Sequence, residues 1–191
     1  AIASHVNMPG SMMTRMSDYP FMANAGPEIC VMSTKIFVSQ IAWGYLVAKG
    51  VEGKLAEGKK NLRAAANAIE KLLADNRIEA SSVHAHAVPA GDLTHYASTL
   101  MEPGVSVVTA LSNDDVKSDV LNAIHEVKAR GADVVGIAPE NHAAFDAYLK
   151  VPDTKETSAI VNIIPLQLLA YHMAKALGHN VDKPRNIAKS V

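Results

Sequence analysis

Histidines cluster in the segment HAHAVPAGDLTH, at His84, His86 and His95. Imidazole titrates near neutral pH, so each of them can both give and take a proton. On a strand, His84 and His86 would project to one face, as two metal ligands do. An alternating pair without a third ligand at a recognisable spacing does not make a metal centre, and neither a metal nor another cofactor is expected. Taken alone, His95 reads as a surface or helix-capping histidine. Cys30 is the only cysteine, so neither an internal disulfide nor a cysteine-rich zinc site can form, and a reducing cytoplasmic compartment is the natural setting. Ser33 stands just before an apolar-periodic run, where a hydroxyl either caps a helix or meets a ligand at its N-terminus; the residue type alone leaves both readings open.

With 191 residues and 49% hydrophobic content, the chain can bury a sizeable core. Its length fits one domain, or one domain and a piece of another. A net charge of -1, with no cluster of Lys and Arg among aromatics, argues against a nucleic-acid partner. The opening AIASHVNMPG has no basic n-region followed by a long apolar stretch, and it has no initiator Met, as expected of a piece of a longer protein. Residues 158–177 are the most apolar stretch. Asn162, Pro165, Gln167, His172 and Lys175 interrupt it, so a buried helix is expected rather than a membrane span.

The elements that must position these groups follow from periodicity. Residues 1–6 read as a buried strand entering a turn at 7–10, and residues 12–32 as a loop with a short strand around 19–22. Ser33 or Thr34 should cap a helix with Phe37, Ile41, Tyr45 and Ala48 on its stripe and Gly50 as its stop. A second helix over 54–76 carries Leu55, Leu62, Ala66, Ile69 and Leu73 on one face. Strands at 105–111 and 133–138 flank a helix over 114–130, with Val116, Val120, Ile124 and Val127 inside, Asp114 as N-cap and Gly131 as stop. That is a βαβ unit with parallel strands. A further short strand is expected at 147–151. The last helix, apolar nearly all round, suits a place between a sheet and another layer, and Pro165 should kink it or begin its regular part.

Residues 165–191, PLQLLAYHMAKALGHNVDKPRNIAKSV, resemble over their whole length the terminal helix and tail of the glucosamine-6-phosphate synthase family, the glutamine-dependent fructose-6-phosphate aminotransferases. The segment NAGPEICVMSTK, residues 24–35, is similar to the family's loop leading into a helix beside the sugar site. Residues 84–95 resemble its run of small residues ending in a histidine. With the segments between, the resemblance covers nearly all of the chain.

The resemblance implies a three-layer α/β/α fold with a mostly parallel sheet, the flavodoxin-like architecture of sugar isomerase (SIS) domains. Residues 1–76 would be the C-terminal part of a first SIS domain with linking helices, and 77–191 an incomplete second one with its tail. It implies the isomerase part of a transaminase that makes glucosamine-6-phosphate from fructose-6-phosphate. Lys189 matches the tail lysine that forms a Schiff base with the sugar; to attack, it must lose its proton, which burial under a closed tail favours. Composition alone would make it a solvated lysine near a terminus. His95 matches the ring-opening histidine, and Val31, Ser33 and Ala188 match substrate contacts.

The family also departs from this chain. Between residue 76 and SSVHAH it has a strand, a glycine turn and a helix carrying a catalytic carboxylate, where this chain has only Arg77, Ile78, Glu79 and Ala80. Glu79 either matches the proton-shuttling glutamate just before SSVHAH or is an ordinary glutamate following the helix. The family's Ser- and Thr-rich phosphate loop would lie before Ala1. By resemblance, the partners are fructose-6-phosphate or glucosamine-6-phosphate, a glutaminase domain and a second copy in a homodimer; no membrane partner is expected. The other class the residues allow is a noncatalytic sugar-phosphate-binding SIS module or regulator.

Overall fold

Strands β1 (Ala3–Val6) and β2 (Tyr19–Met22) pair in parallel, Ala3 opposite Tyr19 and Val6 opposite Met22, in a computed structural model that describes residues 1–28, 33–75 and 101–182. Both strands fall where the sequence predicts them. Between them runs a short helix, α1 (Met12–Met16), where a loop is expected. Ser11 caps it, its Oγ accepting the Thr14 N–H at 3.2 Å. None of its residues is buried, so no apolar period betrays it.

Helix α2 (Lys35–Val51) packs on this pair of strands through Trp43, which stacks on His5 with ring centroids 5.5 Å apart and meets Phe21 at 5.8 Å. Phe37 and Ala48, expected on the inner stripe, are exposed. Nor does Gly50 stop the helix. The turn falls at Gly53, whose φ of +73 suits glycine, and the Lys54 N–H closes the end on the Lys49 carbonyl at 2.8 Å. Helix α3 (Leu55–Asp75) starts against α2: Gly58 lies under the Lys49 stem, and the Asn61 amide donates to the Tyr45 hydroxyl at 2.9 Å. Lys49 is buried, and its ammonium meets the carboxylates of Glu52 and Glu57, each at 3.5 Å.

Within the described residues, one compact unit holds residues 1–63 and those from 170 onward, and a second holds residues 64–75 and 101–169. The second is a three-layer α/β/α arrangement. Its sheet, in the order β3-β4-β5, consists of β3 (Ser106–Ala110), β4 (Asp133–Ala138) and β5 (Ala147–Lys150), all parallel. Helix α4 (Lys117–Ala129) covers one face, where Ile124 and Val127 pack with Val134, Val107 and Phe145. On the other face, Ala65, Ala68, Ile69 and Leu72 of α3 and Val161 and Leu166 of α5 (Ser158–Ala176) pack with Ile137 and Leu149. The alternation along β4, Val134 to one side and Ile137 to the other, is what a strand covered on both faces requires.

The helix interiors depart from the expected stripes in informative ways. Leu55 and Leu73 are exposed, and small residues, Ala65 and Ala68, make the buried face of α3. Val116 is exposed and takes the cap position of α4, two residues past the expected Asp114. Asp114 instead accepts the Val116 N–H on Oδ1 and the Lys117 N–H on its carbonyl. Gly131 ends α4 as expected, at φ +95. Helix α5 continues through Pro165 rather than beginning there. Residues 155–176 are long and apolar enough to cross a membrane by length and composition. Ile160, Val161, Ile164 and Pro165 are nevertheless buried, as expected of a core helix, whereas Tyr171 and Ala176 are exposed, so burial does not extend all round its full length.

Candidate functional site

In parallel α/β sheets, ligands gather beyond the carboxyl ends of the strands. At that edge of β1, the Asn7 side chain clamps the loop that leaves β2: its amide donates to the Gly26 carbonyl at 2.6 Å, and its oxygen accepts the Ala25 N–H at 3.0 Å. Asn24 and Gly26 both adopt positive φ, 51 and 71, which lets the chain turn back toward α2.

The turn delivers Glu28 to the N-terminus of α2. Oε1 accepts the Thr34 N–H at 2.7 Å, the Lys35 N–H at 2.8 Å and the Thr34 hydroxyl at 3.1 Å. Oε2 accepts the Ser33 hydroxyl at 2.8 Å and the Ile36 N–H at 3.3 Å. The first backbone N–H groups of a helix have no partner within it, and their dipoles favour a negative charge. Burial pushes the Glu28 carboxyl up, but hydrogen bonds, led by those from the Thr34 N–H, the Ser33 hydroxyl and the Lys35 N–H, outweigh it and hold the group at about 2. The sequence predicts that Ser33 or Thr34 caps this helix, and Thr34 does take the N-cap position, but its side chain makes no cap bond. Instead both hydroxyls donate to a carboxylate from upstream, and Ser33 stays exposed at the rim.

Of the candidate site residues named from the sequence, Ser33 alone is among those described. Val31, Glu79, His95, Ala188 and Lys189 lie outside the described residues, as do Cys30, His84 and His86. Asn7 and Glu28 are the residues at this edge that sequence reasoning missed. Glu28 stands inside the NAGPEICVMSTK segment, but its distance from the helix start fits no capping pattern.

The carboxyl edge of the second unit is polar too. The Asn113 amide donates to Asp153 Oδ2 at 3.1 Å, and Lys117 Nζ donates to Asn113 Oδ1 at 2.7 Å. The Lys155 N–H and then the Asn113 amide hold the Asp153 carboxyl below its ordinary range. Buried Asn162 on α5 donates to Ser112 Oγ at 3.0 Å. These groups satisfy one another. Among the described residues, no group of three or more His, Cys, Asp or Glu is placed to hold a metal ion.

The family model of the SIS domain matches residues 77–176. Among curated proteins, the chain is 33% identical over 232 positions to the glutamine–fructose-6-phosphate aminotransferase (isomerizing) of Caldanaerobacter subterraneus, and 34% identical over 235 positions to that of Escherichia coli O157:H7. In each case 97% of this chain is covered, and the chain spans 38% of the relative's length. An alignment of 232 positions laid on 191 residues leaves at least forty positions with no residue of this chain opposite them. Among solved structures, the C-terminal domain of glucosamine-fructose-6-phosphate aminotransferase from Francisella tularensis superposes with a TM-score of 0.76 at 27% identity, covering 95% of this chain and 64% of that one. Glucosamine-6-phosphate deaminase from Thermotoga maritima, at 18% identity and a TM-score of 0.67 over 99% of this chain and 66% of that one, shares the fold.

Proposed function

Since this chain belongs to the SIS domain family, we propose that it is the isomerase part of an aminotransferase that makes glucosamine-6-phosphate from fructose-6-phosphate and glutamine-derived ammonia. The observation that carries the reading is the Ser33 hydroxyl, held exposed at the carboxyl edge of the first unit's strands in a segment that resembles the family's sugar-contacting loop. Relatives bearing the aminotransferase name align along almost the whole chain and support it.

In this reading, Val31, Ser33 and Ala188 touch the sugar and His95 opens its ring by proton transfer. The ε-amine of Lys189 condenses with the C2 carbonyl and releases water. Ammonia then displaces the lysine nitrogen at C2, which frees Lys189, and in the resulting sugar imine Glu79 carries a proton from C1 to C2 to give the amino-aldose. Residues 1–76 belong to one SIS domain and 77–191 to a second. The glutaminase half that would supply ammonia, a homodimeric assembly and a cytoplasmic setting belong to the same proposal.

A noncatalytic sugar-phosphate-binding module is the second reading. It is favoured by the alignment positions that find no residue here, because the resemblance puts the family's carboxylate-bearing βα unit in the stretch this chain shortens around Glu79. Borohydride trapping separates the two. Incubation with fructose-6-phosphate and borohydride, followed by peptide mass spectrometry, is expected to find a reduced sugar adduct on Lys189 and none in Lys189→Ala. Binding without an adduct would leave the module reading standing, and absence of binding would end both.

A further inference from the structure

We propose that Glu28 is a positioning residue that sets specificity at the α2 N-terminus: it takes the proton of the Ser33 hydroxyl, leaves that oxygen only as an acceptor for a sugar hydroxyl, and turns phosphate away from the helix end. The inference rests on the reading of Ser33 as a sugar contact.

A serine hydroxyl has one proton to donate and two lone pairs to accept with. At 2.8 Å from Glu28 Oε2, the Ser33 proton is committed, because an ionised carboxylate only accepts. A ligand meeting Ser33 Oγ therefore has to bring the hydrogen itself. A sugar hydroxyl does so, and the dianionic phosphoryl group of a sugar phosphate does not. The helix end reinforces the choice. A bare N-terminus attracts anions through free N–H groups and the dipole, but here Thr34, Lys35 and Ile36 already donate to the Glu28 oxygens. A phosphate arriving there would meet a carboxylate at close range and occupied donors. On the same turn, the exposed Lys35 ammonium donates to the Pro27 carbonyl at 2.8 Å. The same carboxylate thus fixes which part of a sugar phosphate faces α2, the polyol and not the phosphoryl group.

Glu28→Gln tests this with little change of shape. Its carboxamide oxygen can keep the Thr34 and Lys35 N–H groups, while its NH2 faces Ser33 Oγ and returns the serine proton. By calorimetric titration of the full 191-residue chain, fructose-6-phosphate is expected to bind about tenfold more weakly and inorganic phosphate about tenfold more tightly. Glu28→Asp keeps the charge on a shorter arm, so it should weaken the sugar and still exclude phosphate. In Ser33→Ala, adding Glu28→Gln should change sugar affinity no further. Circular dichroism checks that each variant folds. An unchanged ratio of phosphate to sugar affinity in Glu28→Gln overturns the proposal, as does phosphate binding in Glu28→Asp equal to that in Glu28→Gln. A wild-type chain that binds no fructose-6-phosphate defeats the functional reading, while the phosphate comparison between the Gln and Asp variants still decides whether Glu28 closes the helix end to anions.

Discussion

Asp146 and Val134 hold each other twice: Asp146 Oδ2 accepts the Val134 N–H at 2.7 Å, and the Asp146 N–H donates to the Val134 carbonyl at 2.8 Å. The second carboxylate oxygen takes Lys128 Nζ at 2.7 Å, which ties α4 to the same point. One side chain thus seats the start of β4, the entry to β5 and the end of α4.

The hydrogen bond from Lys128, then that from the Val134 N–H, lowers the Asp146 pKa. A lowered folded-state value means that the contribution is complete above the ordinary carboxylate range and lost as pH falls through the lowered value. Asp146→Asn should therefore melt below the wild type at neutral pH, with the gap closing as acid protonates the carboxylate. A gap that stays constant with pH would show that the charge is irrelevant to this joint.

Gly136 lies against the Phe145 ring, and a Cβ there would overlap the ring carbons. Gly136→Ala should cost about 1–3 kcal/mol in denaturant unfolding, from overpacking. Phe145→Leu in the same chain should recover part of that loss, since the two residues are in contact. Strictly additive effects would contradict the steric account.

Asn162 is a buried amide that donates to the Ser112 hydroxyl at 3.0 Å. Asn162→Ala should destabilise by about 1–3 kcal/mol, because it leaves a polar group without its partner in a packed setting. Asn113→Ala, which removes the exposed bond to Asp153, should stay within about 0.5 kcal/mol. Equal losses at the two positions would show that burial is not what sets the cost.

For Glu28, the carboxyl sits at about 2 in the folded chain against an ordinary value of 4.5. Its support of α2 should be complete above the higher value and lost as pH falls through the lower one. Amide exchange at Thr34, Lys35 and Ile36 should be faster in Glu28→Ala than in the wild type at neutral pH, with no change in the middle of the helix. Equal exchange would mean that the carboxylate is not the cap.

Strands were the legible part of the sequence, because β-rich runs bounded by turn residues at 133–138 and 147–151 have few other readings. Helix types were legible too, but their faces were not. Counting large apolar residues put Leu55 and Leu73 inside α3, whereas the close approach of the sheet selects Ala65 and Ala68. Gly50 looked like a stop because glycine is common at helix ends, yet the chain turns at Gly53, where φ becomes positive. Helix α1 escaped notice because its methionines all face outward. Glu28 escaped for a different reason: capping rules look one turn around the first helical residue, and this cap reaches in from a loop shaped by Asn7, Asn24 and Gly26. Of the candidate sugar-site residues, the structure speaks to Ser33 alone, and it corrects the capping role while leaving its hydroxyl at the rim.

The brevity of the connection across residues 139–146 bears on how the second sheet assembles. Val135 and its partner Ala147 are twelve positions apart in the chain, whereas Val107 and its partner Val134 are twenty-seven apart. Closing the longer loop costs about 0.7 kcal/mol more chain entropy. Pairing β4 with β5 is accordingly the less costly closure in chain entropy, and the short connection carries Phe145.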